Sequence, residues 1–265
     1  MKFADILLCF DASDDGRKRS DAGLALAQRS HAYVHGYYLP PRRGVPMEDF
    51  LEGPSAEKWE TEALEFERQL RLRGLEGTCV PGDVDRNIEG LLGLSSFVDL
   101  VVVGLGFPDD PASDPQGLNI ERLVIESGRP ILDIPAMGLP EKIGRNVLVA
   151  WDGSRESTRA VHDAIPFLRE AETVKIAAID ADPASPRSPG NLIAHLDRLG
   201  IAATVDASFD MQLPIGDELL TRIEENEIDL LVAGAFGHSR LREHLFGGVS
   251  ARLLHQMMVP ILVSH

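Results

Sequence analysis

The feature that most constrains the fold of this chain is an internal repeat that spans nearly all of its 265 residues. The segment VDLVVVGLGF at 98–107 matches IDLLVAGAFG at 228–237 with an offset of 130 positions. Upstream, ILLCFDAS at 6–13 matches VLVAWDGS at 147–154 with an offset of 141, so the first copy carries 11 additional residues. We assign this insertion to the Pro/Gly-rich segment at 40–54. A register kept over such distances indicates a tandem duplication.

Each copy alternates short apolar runs with helix-like segments. Strands that alternate with helices favour a parallel sheet with right-handed crossovers. The sequence therefore predicts an α/β protein of two tandem five-stranded, doubly wound sandwiches, with domains at 1–138 and 143–265. In the second copy the strands are expected at 147–151, 174–179, 201–207, 228–234 and 260–265, and the helices at 154–169, 190–199, 218–226 and 248–257.

The composition excludes several classes of protein. The formal net charge is −16, and both halves are acidic, which disfavours binding to nucleic acid or to an anionic membrane surface. No apolar run approaches the roughly 20 residues of a membrane-spanning helix. Cys9 and Cys79 are the two cysteines, and they form no disulfide framework. These features predict a cytoplasmic protein.

The most informative motif follows the fourth strand of the second copy. Glycines let the backbone approach a ligand closely, and the N–H groups at a helix start suit a phosphate. Ser250 can add a hydroxyl donor, while His238 and Arg240 can compensate phosphate charge. The spacing favours a nucleotide site over the alternative that the glycines only form tight turns. The motif consists of Gly234, Gly237, a nine-residue loop, and then Gly247, Gly248, Val249 and Ser250.

The duplicated unit, the aspartate after the first strand and the G-x2-G-x9-G segment resemble the universal stress protein family in its two-domain form. That resemblance implies that the chain binds ATP and that Mg²⁺ can bind beside the phosphates. It also implies that the glycine motif surrounds the ribose and phosphates. It places Asp152 by the adenosine and the backbone near Ala178 by the adenine. One departure is Gly248, because the family usually has Ser or Thr directly after the third glycine. Ser250 is the nearest hydroxyl.

The corresponding loop of the first copy departs further from the motif. Phe107 replaces the middle glycine, and Pro108 removes a backbone donor. Carboxylates then stand where phosphates would lie, so the sequence predicts a degenerate first site in which Asp11 serves as a helix cap. These carboxylates belong to Asp109, Asp110 and Asp114.

The expected function is that of a nucleotide-binding sensor or regulator in the stress response. Hydrolysis is expected to be slow at most, since no dedicated general base accompanies the glycine motif. No metal site is expected, because His244 and His255 would lie about 16 Å apart on one helix.

Other functions stay open at this point. One alternative is a scaffold without nucleotide that acts through a regulatory protein partner, as an internal pseudo-dimer or a homodimer. In that case the segments PILDI at 130–134 and PILVS at 260–264 could pair. A weaker alternative is an enzyme of the wider adenine nucleotide alpha hydrolase group.

Overall fold

The computed structural model describes residues 2–39, 54–82, 87–104, 120–135, 139–179, 185–206, 215–235 and 259–265. Within these residues the chain forms two compact units, Lys2–Arg129 and Pro130–His265. The domain limits expected from the sequence, 1–138 and 143–265, stay predictions.

The first unit is a parallel sheet with helices between its strands. The strand order is β3-β2-β1-β4, and every pairing in it is parallel. The strands are β1 (Asp5–Phe10), β2 (Tyr33–Tyr38), β3 (Gly77–Pro81) and β4 (Leu100–Val103), and the helices are α1 (Asp14–Ser30), α2 (Pro54–Leu72), α3 (Asn87–Ser95) and α4 (Ile120–Glu126).

The second unit repeats this arrangement and adds an antiparallel strand. Its strand order is β5-β10-β9-β6-β7-β8. All pairings are parallel except that of β5 with β10, where Leu132 lies opposite Leu262. The strands are β5 (Ile131–Asp133), β6 (Asn146–Trp151), β7 (Thr173–Ala178), β8 (Thr204–Val205), β9 (Leu230–Gly234) and β10 (Ile261–Ser264), and the helices are α5 (Arg155–Leu168), α6 (Pro189–Arg198) and α7 (Ile215–Glu225).

The α/β fold class with a mostly parallel sheet and the pairing of the two PIL segments are confirmed. The described strands divide as four and six between the two units rather than five and five, because the first PIL segment pairs with β10 of the second unit. The predicted strand over 201–207 is wrong in length, because only Thr204 and Val205 pair, with Lys175 and Ile176 of β7. Both residues of this edge strand are exposed, so little burial is available to extend it. The predicted helix at 248–257 lies outside the described residues.

The central strands β4 and β9 are buried at every position. Continuous burial is typical of parallel strands covered on both faces. An aspartate precedes each of these strands and accepts hydrogen bonds from the backbone at the start of β1 or of β6. Asp99 accepts from the amides of Ala4 and Asp5, and Asp229 accepts from those of Gly144, Arg145 and Asn146. The repeated VDL/IDL aspartate therefore stabilises the strand edges.

The helices α1 and α5 begin in the same way. Ser13 Oγ accepts from the Gly16 amide at 2.9 Å, and Ser154 Oγ accepts from the Ser157 amide at 3.1 Å. The prediction that Asp11 caps α1 is wrong, since Ser13 is the N-cap and Asp11 accepts from the Ser13 amide. None of the described helices combines the length and apolar character needed to cross a bilayer.

Candidate functional site

The second unit has a topological switch point between β6 and β9. The chain leaves β6 towards β7 on one side and leaves β9 towards β10 on the other, and β6 and β9 are paired in the sheet. In open α/β sheets, ligands bind beyond the carboxyl ends of the strands at such a crevice.

The three predicted site residues that the structure describes lie at this edge. Asp152 directly follows Trp151, the last residue of β6, and Ala178 is the register partner of Trp151 at the end of β7. Gly234 ends β9, one position beyond the pair of Ala150 with Ala233. The other predicted residues lie outside the described residues: Gly237, His238, Arg240, Gly247, Gly248, Val249 and Ser250.

Asp152 is held by the turn that starts α5. Its Oδ1 accepts a hydrogen bond from the Ser154 amide at 2.9 Å, and Ser154 is the N-cap of α5. The carboxylate is therefore fixed beside the first turn of a helix, at the edge of the switch-point crevice. A fixed acceptor in this place can receive a hydroxyl or amine donor of a ligand.

Gly234 brings α5 into direct contact with the end of β9. A Cβ at this position would lie 2.3 Å from the Ser157 nitrogen and 2.5 Å from the Glu156 carbonyl carbon. Such distances leave no room for a side chain. The glycine is thus required for packing, and it sets the N-terminus of α5 directly over the crevice, where the helix dipole favours an anion.

Arg187 is a candidate binding residue that the sequence analysis missed. Its carbonyl accepts from Trp151 Nε1 at 2.9 Å, and its Cβ would lie 2.8 Å from a Cβ on Gly153. These contacts hold Arg187 over the turn that follows Asp152. The side chain is exposed and forms no ion pair with any other described residue. The weak signal in the sequence was a single basic residue in the Pro-rich loop after the second strand.

The first unit fills the equivalent place with its own side chain. Arg19 Nη2 lies 3.0 Å from Asp11 Oδ2, and both side chains are largely buried. A Cβ on Gly104 would lie 2.1 Å from the Cδ and Nε of Arg19, so the arginine stem covers the end of β4. With the offset of 141, Asp11 corresponds to Asp152, and Arg19 corresponds to the small residue Ala160.

The acidic character of the first unit is also seen at the end of β2. Burial, followed by the nearby carboxylates of Glu62 and Asp11, raises the pKa of Tyr38 to about 12. The two carboxylates, which add to the effect of burial, place negative charge near the end of β2, where it would repel a phosphate. The two units therefore differ in how their switch points are occupied and charged.

Comparisons with known proteins agree with this architecture. The model of the universal stress protein family matches residues 213–265. Universal stress protein Slr1230 of Synechocystis sp. (strain ATCC 27184 / PCC 6803 / Kazusa) is 26% identical over 201 residues, which cover 73% of this chain and 67% of the relative.

Two solved structures share the fold over nearly the whole chain. A universal stress protein from Archaeoglobus fulgidus DSM 4304 has a TM-score of 0.75 at 15% identity and covers 98% of this chain and 95% of its own. A putative universal stress protein from Pseudomonas aeruginosa UCBPP-PA14 has a TM-score of 0.56 at 16% identity. The match covers 99% of this chain and 93% of that protein.

The fold and the switch-point crevice thus define an α/β protein of the doubly wound class. The comparisons point to one family: residues 213–265 match the universal stress protein family model, and the chain is similar in sequence to a universal stress protein.

Proposed function

We propose that the second unit binds ATP or a related adenine nucleotide at the crevice between β6 and β9. In this proposal the chain is a tandem universal stress protein that acts as a sensor or regulator in the stress response. Asp152 accepts a hydrogen bond from the nucleoside, and the backbone at Ala178 meets the adenine. The glycine motif that starts at Gly234 surrounds the ribose and phosphates.

The observation that carries this proposal is the arrangement around Gly234. The first turn of α5 lies directly on this glycine, and the Asp152 carboxylate is tied to the N-cap of the same helix. A helix start and a fixed carboxylate at one switch point supply both a place for an anion and a place for a donor.

Arg187 extends the proposal to a residue outside the glycine motif. Its Cβ and Cδ lie beside Gly153, and its guanidinium has no ion-pair partner among the residues that the structure describes. A guanidinium pairs with phosphate oxygens or stacks on the face of a base. Either contact would increase affinity for a nucleotide over an uncharged nucleoside.

Titration calorimetry of the nucleotide-stripped chain tests the proposal. We expect Arg187→Ala to weaken binding of Mg·ATP about tenfold, within the range of a charge-assisted hydrogen bond. The matched control is Arg169→Ala, which removes an exposed arginine at the opposite end of α5. Equal affinities of the two variants would refute the role of Arg187.

The same titration separates nucleotide binding from a scaffold function. Release of heat with a rise in melting temperature supports the nucleotide site. Absence of both, in the presence and in the absence of Mg²⁺, would refute it. The remaining candidate would then be a scaffold that acts through a protein partner.

A further inference from the structure

A groove between α5 and α6 of the second unit carries two histidines that nucleotide binding does not use. It encloses about 250 Å³. Trp151, Val161 and Leu192 supply apolar walls, and His162 and His195 face each other across it. The two histidines are 33 positions apart in the sequence and belong to different helices, so no local spacing reveals the pair.

The imidazole rings have the separation that two ligands of one metal ion require. Their centroids lie 5.3 Å apart, and the ring planes are inclined by 55°. A Zn–N distance of about 2.0 Å puts each centroid about 3.2 Å from the ion, so tetrahedral ligation separates two centroids by about 5 Å. The observed centroid separation agrees with that value.

His195 also has a nitrogen with no hydrogen bond to the part of the chain that the structure describes. Nε2 is buried and has no hydrogen-bond partner among the described residues. Buried polar atoms are normally satisfied, so this nitrogen is a candidate to bind a ligand. His162, by contrast, is exposed, which gives an ion access to the pair.

The equivalent groove of the first unit lacks these features. It encloses about 100 Å³, and Phe10 stacks on Phe66 with a centroid distance of 4.4 Å. With the offset of 141, Asp21 corresponds to His162. On the opposite wall of the first groove, Gln69 is the lining residue nearest to the C-terminus of α2, and no histidine among the described residues lines this groove. The histidine pair is thus a particular property of the second groove and not a consequence of the shared fold.

We propose that His162 and His195 bind one divalent transition-metal ion, of which Zn²⁺ is the representative. No group of three or more His, Cys, Asp or Glu side chains in the described part of the chain is arranged to hold a metal. The site therefore offers two nitrogen ligands, and water completes the coordination. Imidazole nitrogens favour Zn²⁺, Ni²⁺ or Cu²⁺ over Mg²⁺ and Ca²⁺.

Calorimetric titration of the full, nucleotide-free chain with Zn²⁺ tests this site. We expect His195→Gln and His162→Gln each to lower the affinity of one Zn²⁺ site by more than about tenfold, because each removes one of two direct protein ligands and even the loss of an outer-shell partner costs about 10–100-fold. The control is His31→Asn, which removes an exposed histidine of the first unit at a left-handed position that Asn tolerates. Its affinity should equal that of the unaltered chain.

Further measurements separate loss of the metal site from loss of folding and from binding of an anion. Unchanged melting temperatures of the metal-free variants show that loss of Zn²⁺ binding is not loss of folding. Arg187 lines the same groove, so Arg187→Ala should leave Zn²⁺ affinity unchanged or raise it. Zn²⁺ binding that survives both histidine substitutions would overturn the proposal. Binding of inorganic phosphate that both substitutions abolish, without Zn²⁺ binding, would overturn it as well.

Discussion

Arg19 donates a hydrogen bond to the Asp11 carboxylate at 3.0 Å, with 14% and 13% of the two side chains exposed. The arginine also lies across Gly104 at the end of β4. In the second unit Ala160 takes the place of Arg19. The two copies thus differ at this position. In the first unit an arginine covers the switch point, and in the second unit the equivalent residue has only a methyl side chain.

Arg19→Ala should destabilise the first unit. Removal of one partner leaves a largely buried carboxylate, so we expect the free energy of unfolding to fall by about 1–3 kcal/mol. The matched control is Arg17→Ala, whose side chain is 52% exposed and should contribute less than about 1 kcal/mol. Urea denaturation measures both. Equal losses in the two variants would contradict the role of the Arg19–Asp11 pair.

Gly234→Ala should destabilise the second unit through the contact with α5. The added Cβ would meet the Ser157 nitrogen at 2.3 Å, and an overpacked contact of this kind costs about 1–3 kcal/mol. Gly190→Ala is the control, because Gly190 lies in α6 and its nearest neighbour would be 3.9 Å from the new Cβ. That variant should gain up to about 1 kcal/mol. Thermal unfolding that ranks the two variants in the reverse order would refute the packing assignment.

Asp229 should contribute a pH-dependent part of the stability. Burial raises the pKa of its carboxyl above 3.8, and the amides of Asn146, Gly144 and Arg145 oppose this rise. When the pKa of a group is higher in the folded state than in the unfolded state, its contribution to the free energy of unfolding is fully present below the unfolded-state pKa. That contribution is lost as the pH rises through the folded-state pKa.

Asp229→Asn removes this titration while it keeps the shape of the side chain. The stability difference between the unaltered chain and the variant should therefore shift against the unaltered chain as the pH rises through the acidic range. Urea denaturation in a series of acidic buffers measures the difference. A difference that does not depend on pH, or one that shifts in the opposite direction, would contradict the assigned direction of the pKa.

The sequence predicted much of the architecture because the repeat and the strand periodicity are local signals. The apolar runs before Asp152 and Gly234 each became a buried strand, and Ser154 became the helix cap that the Asp-Gly-Ser segment indicated. The edge strand near Thr204 was overestimated, since an apolar run does not reveal how few partners an edge position has.

The features that the sequence did not reveal depend on contacts between distant elements. Arg19 reaches Asp11 and Gly104 from α1, and the Arg187 carbonyl is held by the Trp151 indole. His162 and His195 meet because α5 and α6 line the same groove. Periodicity fixes the face of a helix, but it does not specify which residue of a second helix lies opposite.

The stoichiometry of Mg·ATP binding tests the central claim most directly. Titration calorimetry should give one site per chain, with Asp152→Ala weakening it and Asp11→Ala leaving it intact. This result would assign the nucleotide to the second unit and a structural role to the first. Two sites per chain, or a single site that Asp152→Ala does not affect, would contradict the account.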